Sequence, residues 1–210
     1  MTSARTRVRR LPEKQVRDLE AMHAILDAAY VAQVGISVDG QPFVVPMACA
    51  RDGDHLLLHG STGSRLMRTL ADGGPVCVGV LHLDGLVYAR SAFESSMNYR
   101  SATILGVAEQ VPDDEMLPAL ERLTEHLFPG RWAELRPPKK KELAATLVIR
   151  VPLDEWSVKV GEGYGEDDPD DLDETVWAGV VPLATVAGQP EDAPDLKPGQ
   201  VRGRPPTAHG

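Results

Sequence analysis

The sequence predicts a mainly β protein, in which antiparallel strands close into a barrel with helices at its periphery. Three turn pairs, Asp39-Gly40, Asp52-Gly53 and Asp84-Gly85, each separate two β-rich runs, as in hairpins. So many consecutive meander connections favour closure, because closure removes edge strands. Strands do not alternate regularly with helices, which argues against a doubly wound or TIM-barrel fold.

The individual elements follow from local patterns along the chain. Apolar residues at helical spacing predict a first helix over residues 14–29. Two further helices are predicted over residues 64–71 and 113–127, the second of which begins with two aspartates, where negative charge suits the helix dipole. The β-rich runs predict strands over residues 30–38, 42–50, 55–59, 75–83, 86–91, 100–111, 146–153 and 156–160.

The composition indicates a domain with a core of its own and argues against two classes of partner. Of the 210 residues, 42% are hydrophobic and 5% are aromatic. The formal net charge of -9 at pH 7 disfavours binding of nucleic acid or anionic membrane by the protein as a whole. No run approaches the roughly 18 apolar residues of a membrane span, so a soluble cytoplasmic protein is expected.

Neither cysteines nor histidines form a recognisable metal site. Cys49 and Cys77 lie far apart in apolar stretches, without a CxxC pair or metal-ligand spacing, so reduced core thiols are expected. His55 and His59 are four residues apart on a predicted strand, which separates them by roughly 13 Å. They therefore cannot share a zinc ion, and no metal is predicted.

Three parts of the chain differ in composition. Residues 1–10 form a basic arm, residues 11–183 form the barrel domain, and residues 184–210 are rich in Pro, Gly and Ala and are predicted to be a disordered tail. Within the domain, residues 166–174 form an acidic run. We interpret this run as a solvated loop, since it lacks the spacing of a calcium-binding EF-hand.

The most informative motif is His59-Gly-Ser-Thr-Gly-Ser-Arg65, between a predicted strand and a predicted helix. Its glycines permit a sharp turn, its hydroxyls and the unpaired N–H groups of the helix start suit a phosphate, and Arg65 and Arg68 add two cations. The motif is not a Walker A loop, because no Lys-Ser or Lys-Thr pair follows the second glycine. A plain capped turn with Ser64 as N-cap fits the pattern equally well.

Two further groups of residues could contribute to a binding site. Ala89-Arg-Ser91 and Met97-Asn-Tyr-Arg-Ser101 bracket a loop, and together their side chains could hold a ring edge or a phosphate. Capping of strand ends explains the same residues. Trp177 follows the acidic run and could stack on a cofactor or cover one end of the barrel.

Taken in order, these residues resemble the flavin-nucleotide-binding branch of the pyridoxamine 5'-phosphate oxidase-like split barrels, which includes the nitroimidazole-resistance proteins. The resemblance spans roughly residues 5–183 and is carried by Arg5-x-Arg7-x-x-Arg10, Glu13-Lys14, Asp39-Gly-Gln-Pro-Phe-Val-Val-Pro46, Leu58-His-Gly-Ser61, Pro75-Val-Cys-Val78, Asp84-Gly-Leu-Val87, Ala89-Arg-Ser-Ala-Phe93, Ser96-Met-Asn-Tyr-Arg-Ser101, Pro129-Gly-Arg-Trp132 and Trp177-Ala-Gly-Val-Val-Pro-Leu183.

The resemblance implies a six-stranded split barrel that forms a homodimer, with two FMN sites in the dimer groove, each built from both chains. It places the cofactor-binding residues as follows: Val44, Val45, Pro46 and Met47 along the isoalloxazine ring; His59, Gly60 and Ser61 near the ring and ribityl chain; Ser64 and Arg65 at the phosphate; Met97, Tyr99, Arg100 and Ser101 closing the site; and Trp177 capping it. Which chain supplies each residue is left open. His59 is the candidate catalytic residue, because an imidazole beside a flavin can donate a hydrogen bond or transfer a proton near neutral pH.

The sequence also departs from the family pattern. Gln33 stands where similar sequences often carry a histidine, and Glu94-Ser95 replaces a histidine pair. Met47-Ala48-Cys49 replaces an aromatic after the Val-Pro stretch. These losses put the family's substrate pocket and any histidine-dependent haem or metal use in doubt, and the Glu94 carboxylate would repel anionic substrates.

Three functions remain from the sequence, of which the third, a true vitamin B6 oxidase, is the least favoured. The first is a flavin-dependent oxidoreductase acting on a small oxidised molecule such as a nitroaromatic or a quinone. The second is a flavin- or haem-binding module without fast turnover, in which His59, His82 or His126 is an axial ligand. A deazaflavin coenzyme is a further alternative. A true vitamin B6 oxidase is disfavoured, because those enzymes end in a basic substrate-binding segment and this chain turns acidic.

Overall fold

The computed structural model describes residues 3–197 and residue 199, and it confirms the mainly β fold class. Within those residues, ten antiparallel strands form one sheet and four α-helices flank it. The strands are β1 Gln15–Val16, β2 Val31–Val38, β3 Gln41–Asp52, β4 His55–Ser61, β5 Pro75–Tyr88, β6 Ser96–Val107, β7 Glu109–Gln110, β8 Thr146–Pro152, β9 Glu155–Gly161 and β10 Gly179–Pro182; the helices are α1 Leu19–Asp27, α2 Arg65–Ala71, α3 Met116–Leu127 and α4 Lys140–Ala144.

The strand order is β1-β9-β6-β5-β2-β3-β4-β8-β7, with β10 added to β5. Alternation along the strands directs one set of side chains inward, where they pack with α1 and α2 around fully buried residues such as Val34, Leu58 and Ile104. On the opposite face of the sheet, Leu57 and Val148 pack against α3 in a second, smaller core. This arrangement is the split β-barrel that the sequence predicts.

The turn predicted at Asp84-Gly85 is wrong, because β5 runs through it as one strand from Pro75 to Tyr88. Pairing with β6 shifts register between Leu83 and Gly85, so the extra residue forms a bulge. Arg100 donates to both carboxylate oxygens of Asp84, at 3.0 and 2.9 Å, and fixes that bulge. The chain reverses instead between Tyr88 and Ser96.

The first helix is shorter than predicted and begins at Leu19. Asp18 caps it by accepting a hydrogen bond from the Glu20 N–H at 3.1 Å. The residues just before it extend as β1, which pairs with β9. At the predicted Asp39-Gly40 hairpin both residues have positive φ, 52° and 79°, which confirms a tight turn between β2 and β3.

The two cysteines occupy different environments. Cys49 is buried as predicted, and burial raises the pKa of its thiol to about 12. Cys77 is exposed, so the prediction of a core thiol is wrong at this position. Its side chain lies on the strand face opposite Val76 and Val78, which alternation directs into the core.

The outer segments of the chain contact the barrel to different extents. Arg5 and Ser3 of the basic arm both donate to Glu155 of β9. Most of the acidic run is exposed, yet its Asp167 accepts a 2.6 Å hydrogen bond from the Arg90 N–H and pairs with the guanidinium. Residues 184–197 contain neither helix nor strand, and the disorder predicted for 184–210 stays a prediction, since residues 198 and 200–210 lie outside the described part. Residues 1 and 2 of the arm also lie outside it.

Among the helices described between residues 3 and 197, none is both long and apolar enough to cross a membrane.

Candidate functional site

The candidate site lies where β3 and β4 diverge. β3 pairs with β2 from Gln41 to Ala48 and with β4 from Cys49 to Asp52, and beyond Leu58 β4 pairs with β8 alone. In the described part of the chain, no strand pairs with the second edge of β3 over residues 41–48, and we call the region between this edge and the end of β4 the groove. The backbone N–H and C=O groups on that edge are available to a ligand.

The predicted ring-binding residues form one wall of this groove. Val44, Val45, Pro46 and Met47 lie on the open stretch of β3, and the first two are exposed. Val44 and Pro46 share one face of the strand, and Met47 packs against the core on the other. The wall therefore offers both backbone polar groups and apolar side chains.

His59, Gly60 and Ser61 end β4 and form the opposite wall. A Cβ on Gly60 would lie 2.7 Å from the Met67 Cγ and 3.7 Å from the Met47 Cε. The absence of a side chain therefore lets β4 pack closely on α2 and on Met47. This close packing fixes the distance between the two walls near the point of divergence.

The loop after β4 is a capped turn. The Ser61 Oγ accepts from the Gly63 N–H at 3.1 Å, and the Ser64 Oγ accepts from the Met67 N–H at 3.4 Å, which makes Ser64 the N-cap of α2. With seven residues, α2 has only two turns, so its dipole is a minor attraction for an anion. A phosphate at this end of the groove would depend chiefly on Arg65.

Arg65 stands at the end of the groove, with its guanidinium carbon 3.9 Å from the centre of the Phe43 ring. It pairs with no carboxylate in the part of the chain that the structure describes. Seven other arginines pair with at least one carboxylate: Arg5, Arg51, Arg90, Arg100, Arg131, Arg136 and Arg150. The stacking on Phe43 orients the cation and leaves its N–H fork free for an anion.

Phe43 is a site residue that the sequence did not reveal, since nothing local marks a strand phenylalanine as the support of an arginine 22 positions later. Replacing it with leucine keeps an apolar contact and removes the ring. Because a cation–π contact at an exposed site contributes about 0.5–1 kcal/mol, we expect the affinity for a phosphorylated ligand to fall by about two- to fivefold. Titration of the Phe43→Leu variant checks this, and an unchanged affinity would show that Arg65 needs no support.

His59 lies on the face of β4 opposite Leu58 and remains accessible to solvent. The protein packed around the ring lowers its pKa from the ordinary 6.5, because burial disfavours the charged form. The imidazole is therefore neutral at pH 7 and able to accept a proton or bind a metal.

We expect the His59 ring protons to titrate with a midpoint below 6.5 in an NMR pH series, with the resonances assigned by their loss in His59→Gln. With a lowered pKa, the contribution of His59 to stability is complete above the unfolded value and is lost as the pH falls towards the folded one. A midpoint at or above 6.5 would show that the surrounding protein does not desolvate this ring.

The structure gives His82 and His126 other roles. The Nε2 of His82 lies 2.9 Å from the Ile25 carbonyl oxygen, and the Nε2 of His126 lies 2.7 Å from that of Ala29. Both rings thus satisfy carbonyl groups at or just beyond the end of α1. Among the three predicted haem ligands, His59 is the one whose nitrogens are not committed to a carbonyl in the described contacts.

The residues predicted to close the site lie elsewhere in the same chain. Met97, Tyr99 and Ser101 are on β6, three strands away from β3, which corresponds to about 14 Å across the sheet. Arg100 is held by Asp84. Trp177 packs on Tyr88, with ring centroids 5.4 Å apart, at the end of β5. One chain therefore does not bring these residues to its own groove.

Strands β2, β3, β5, β6 and β10 share an uncovered apolar surface, which we call the outer face. Alternation places its members on the side of the sheet away from the core, and all of them are exposed: Val31, Val44, Leu81, Leu83, Leu86, Tyr88, Met97 and Val181. Contiguous apolar patches of this kind mark interaction surfaces.

A family model described as pyridoxamine 5'-phosphate oxidase matches residues 18–160, which include the groove, both its walls and most of the outer face. The chain belongs to this family. The match confirms the resemblance seen in the sequence. No match was found among curated proteins.

Solved structures of related proteins extend the comparison. The chain is 46% identical to an FAD and haem binding protein from Mycobacterium smegmatis, covering 89% of this chain and 92% of that one, with a TM-score of 0.86. It is 39% identical to the flavocytochrome Anf3 from Azotobacter vinelandii, covering 95% and 94%, with a TM-score of 0.90. A candidate 5-nitroimidazole antibiotic resistance protein from Bacteroides thetaiotaomicron is 25% identical over 70% of this chain and 86% of that one, with a TM-score of 0.59.

Proposed function

We propose that this protein binds a flavin nucleotide in the groove between β3 and β4 and acts as a flavin-dependent oxidoreductase. The observation that carries the proposal is the open backbone edge of Val44–Met47 with the free cation of Arg65 at its end. This combination fits a flat ring system with polar edges attached to a phosphate. The names of the two relatives from Mycobacterium smegmatis and Azotobacter vinelandii, which include FAD, haem and flavocytochrome, support it.

The residues of the chain have separate tasks in this proposal. The β3 backbone would hydrogen-bond the ring edge, and Arg65 would hold the phosphate through charge-assisted hydrogen bonds. The apolar side chains of both walls would exclude water from the ring, and the neutral His59 imidazole would accept a proton at a ring nitrogen, which the resulting imidazolium would later return. A bound flavin supplies the hydride or electron transfer itself.

We further propose that the protein is a homodimer in which each groove is completed by the partner chain. The outer face leaves eight large apolar side chains exposed, and a second copy would bury them. Since Met97, Tyr99, Ser101 and Trp177 lie far from the groove of their own chain, the outer face can bring them to the groove of the partner instead. The predicted closing residues then act in trans.

The substrate we propose is a small oxidised molecule such as a nitroaromatic or a quinone. We also propose that the protein is cytoplasmic. The 25% identity to the candidate nitroimidazole resistance protein supports the first class. Glu94 is partly buried in the loop between β5 and β6, where its carboxylate would disfavour anionic substrates. Phosphorylated vitamin B6 is anionic and is therefore disfavoured as well.

The absorbance spectrum of the purified protein, before and after addition of FMN, FAD or a deazaflavin, tests the cofactor. We expect flavin bands with about one flavin bound per chain, and reduction of that flavin by a nicotinamide donor or a reductase. The sequence predicts FMN, whereas the name of the relative from Mycobacterium smegmatis specifies FAD, so the relative affinities of the two identify the native nucleotide. A colourless protein that binds none of the three would overturn the assignment.

A second candidate function is haem binding, which His59 favours. Its neutral imidazole has the protonation state that an axial ligand needs. A Soret band after addition of haem, lost in His59→Ala and kept in His55→Ala on the same strand, would establish this function. Equal haem spectra in both variants would exclude His59 as the ligand.

A further inference from the structure

The basic arm and the segment after it concentrate positive charge in an acidic protein. Six of the 22 Lys and Arg residues lie between positions 5 and 17, accompanied by a single acidic residue, Glu13, while the whole chain carries a net charge of -9. Lys159 of β9 lies directly opposite Gln15 of β1. We call the group Arg7, Arg9, Arg10, Lys14, Arg17 and Lys159 the basic strip.

Specific contacts hold the strip against the barrel. Thr6 is buried, its carbonyl accepts from the Gln15 side chain at 3.5 Å, and Arg5 and Ser3 both donate to Glu155. The arm is therefore anchored at both ends of β9, at Glu155 and through the pairing of Gln15 with Lys159. The segment that carries the remaining cations therefore begins and ends at residues held beside β9, Thr6 and Gln15.

The cations of the strip have no carboxylate partner in the residues from 3 to 197. This distinguishes them from the seven arginines that pair with carboxylates elsewhere, among them Arg5 at the start of the arm. Like charges so close together along a chain repel one another, and a bound anion would offset that repulsion. The strip therefore has the electrostatic character of an anion site.

The position of the strip indicates the size of the anion. Lys159 lies opposite Ser101 of β6, so it projects on the same side of the sheet as the outer face. The acidic segment that follows β9, with eight Asp and Glu residues between 162 and 174, would repel an extended polyanion such as nucleic acid. A small ligand with two to four negative charges avoids that repulsion.

From these observations we infer that the basic strip binds the pyrophosphate of an adenine dinucleotide. Arginine is suited to this chemistry, because its planar fork donates two hydrogen bonds to phosphate oxygens. The inference rests on the proposed flavin function, since the ligand is either the adenylate half of FAD bound to the partner chain or a nicotinamide dinucleotide that reduces the flavin. FAD and the nicotinamide dinucleotides both contain this pyrophosphate, and titration with each of them distinguishes the two sources.

Calorimetric titration of the full-length protein with ADP tests the strip alone. We expect Arg7→Gln, Arg9→Gln and Arg10→Gln combined to weaken ADP binding at least tenfold, and the corresponding triple Lys variant to recover most of it. The matched control combines Lys139→Gln, Lys140→Gln and Lys141→Gln, which removes three exposed cations at α4 and should leave the affinity unchanged. Equal ADP affinity in the wild type and the arm variant, or binding of duplex DNA but not ADP through these arginines, would overturn the inference.

Titration with FAD, FMN and the reduced nicotinamide dinucleotides then identifies the source. A loss of FAD affinity with FMN unchanged assigns the strip to the adenylate half of FAD, because FMN lacks that half. A loss for nicotinamide dinucleotides with both flavins unchanged assigns it to the electron donor. A wild-type protein that binds ADP at the strip but neither flavin would remove the proposed flavin function and keep the pyrophosphate site.

Discussion

Replacing Arg65 with alanine is expected to weaken FMN binding by about 10- to 150-fold, because a hydrogen bond to a charged group contributes about 1.5–3 kcal/mol. The guanidinium is held 3.9 Å over Phe43 and pairs with no carboxylate in the described residues, so its N–H groups are free to bind phosphate. Arg65→Lys keeps the charge and loses the bidentate geometry, and its affinity should fall between those of the wild type and the alanine variant. Fluorescence titration of the flavin measures all three.

Two controls separate a phosphate contact from a general effect of charge. Riboflavin has the same ring as FMN and no phosphate, so its affinity should be the same in the wild type and in Arg65→Ala. Arg68→Ala removes an exposed cation one turn further along α2, and we expect it to change FMN affinity by much less. An equal loss in Arg68→Ala, or a loss for riboflavin, would show that Arg65 does not contact the phosphate.

Two Asp-Gly pairs, one of which forms a turn while the other lies within a strand, show how far local sequence predicts this fold. At Asp39-Gly40 both residues take positive φ and no distant group intervenes, so the dipeptide makes the expected hairpin. At Asp84-Gly85 the same dipeptide lies within β5, because Arg100 binds the aspartate and β10 covers the glycine, whose Cβ would lie 3.1 Å from the Val181 oxygen. Turn chemistry predicts strands well until a distant segment binds the turn residues.

The candidate site likewise has one part that local sequence predicts and another that depends on tertiary packing. The strand–loop–helix segment from His59 to Arg65 is continuous in sequence, and the structure places all of it at one groove. The support of Arg65 by Phe43 and the carbonyl contact of His82, 57 residues away from Ile25, depend on tertiary packing. The distance of Met97–Ser101 from the groove in one chain follows from the strand order, which no short motif encodes.

Replacing Leu81 with aspartate is expected to separate the proposed dimer. Leu81 is 61% exposed on the outer face, in the strand that pairs with β2, β6 and β10. Burying a leucine side chain contributes about 1.5–3 kcal/mol, and a twofold interface contains it twice, so its loss should raise the dimer dissociation constant by about 150- to 20,000-fold. Sedimentation equilibrium over a range of concentrations measures this constant.

The effect should extend to the cofactor, because the proposed groove is complete only when the partner chain supplies its closing residues. Leu81→Asp should therefore bind flavin more weakly as the protein is diluted, although Leu81 lies on β5 and the groove on β3 and β4. Leu172→Asp, which alters a leucine of 55% exposure outside the outer face, serves as the matched control and should leave both dimer and flavin affinity unchanged. A monomeric Leu81→Asp protein with wild-type flavin affinity would show that one chain holds the whole site, and an undisturbed dimer would place the interface on another surface.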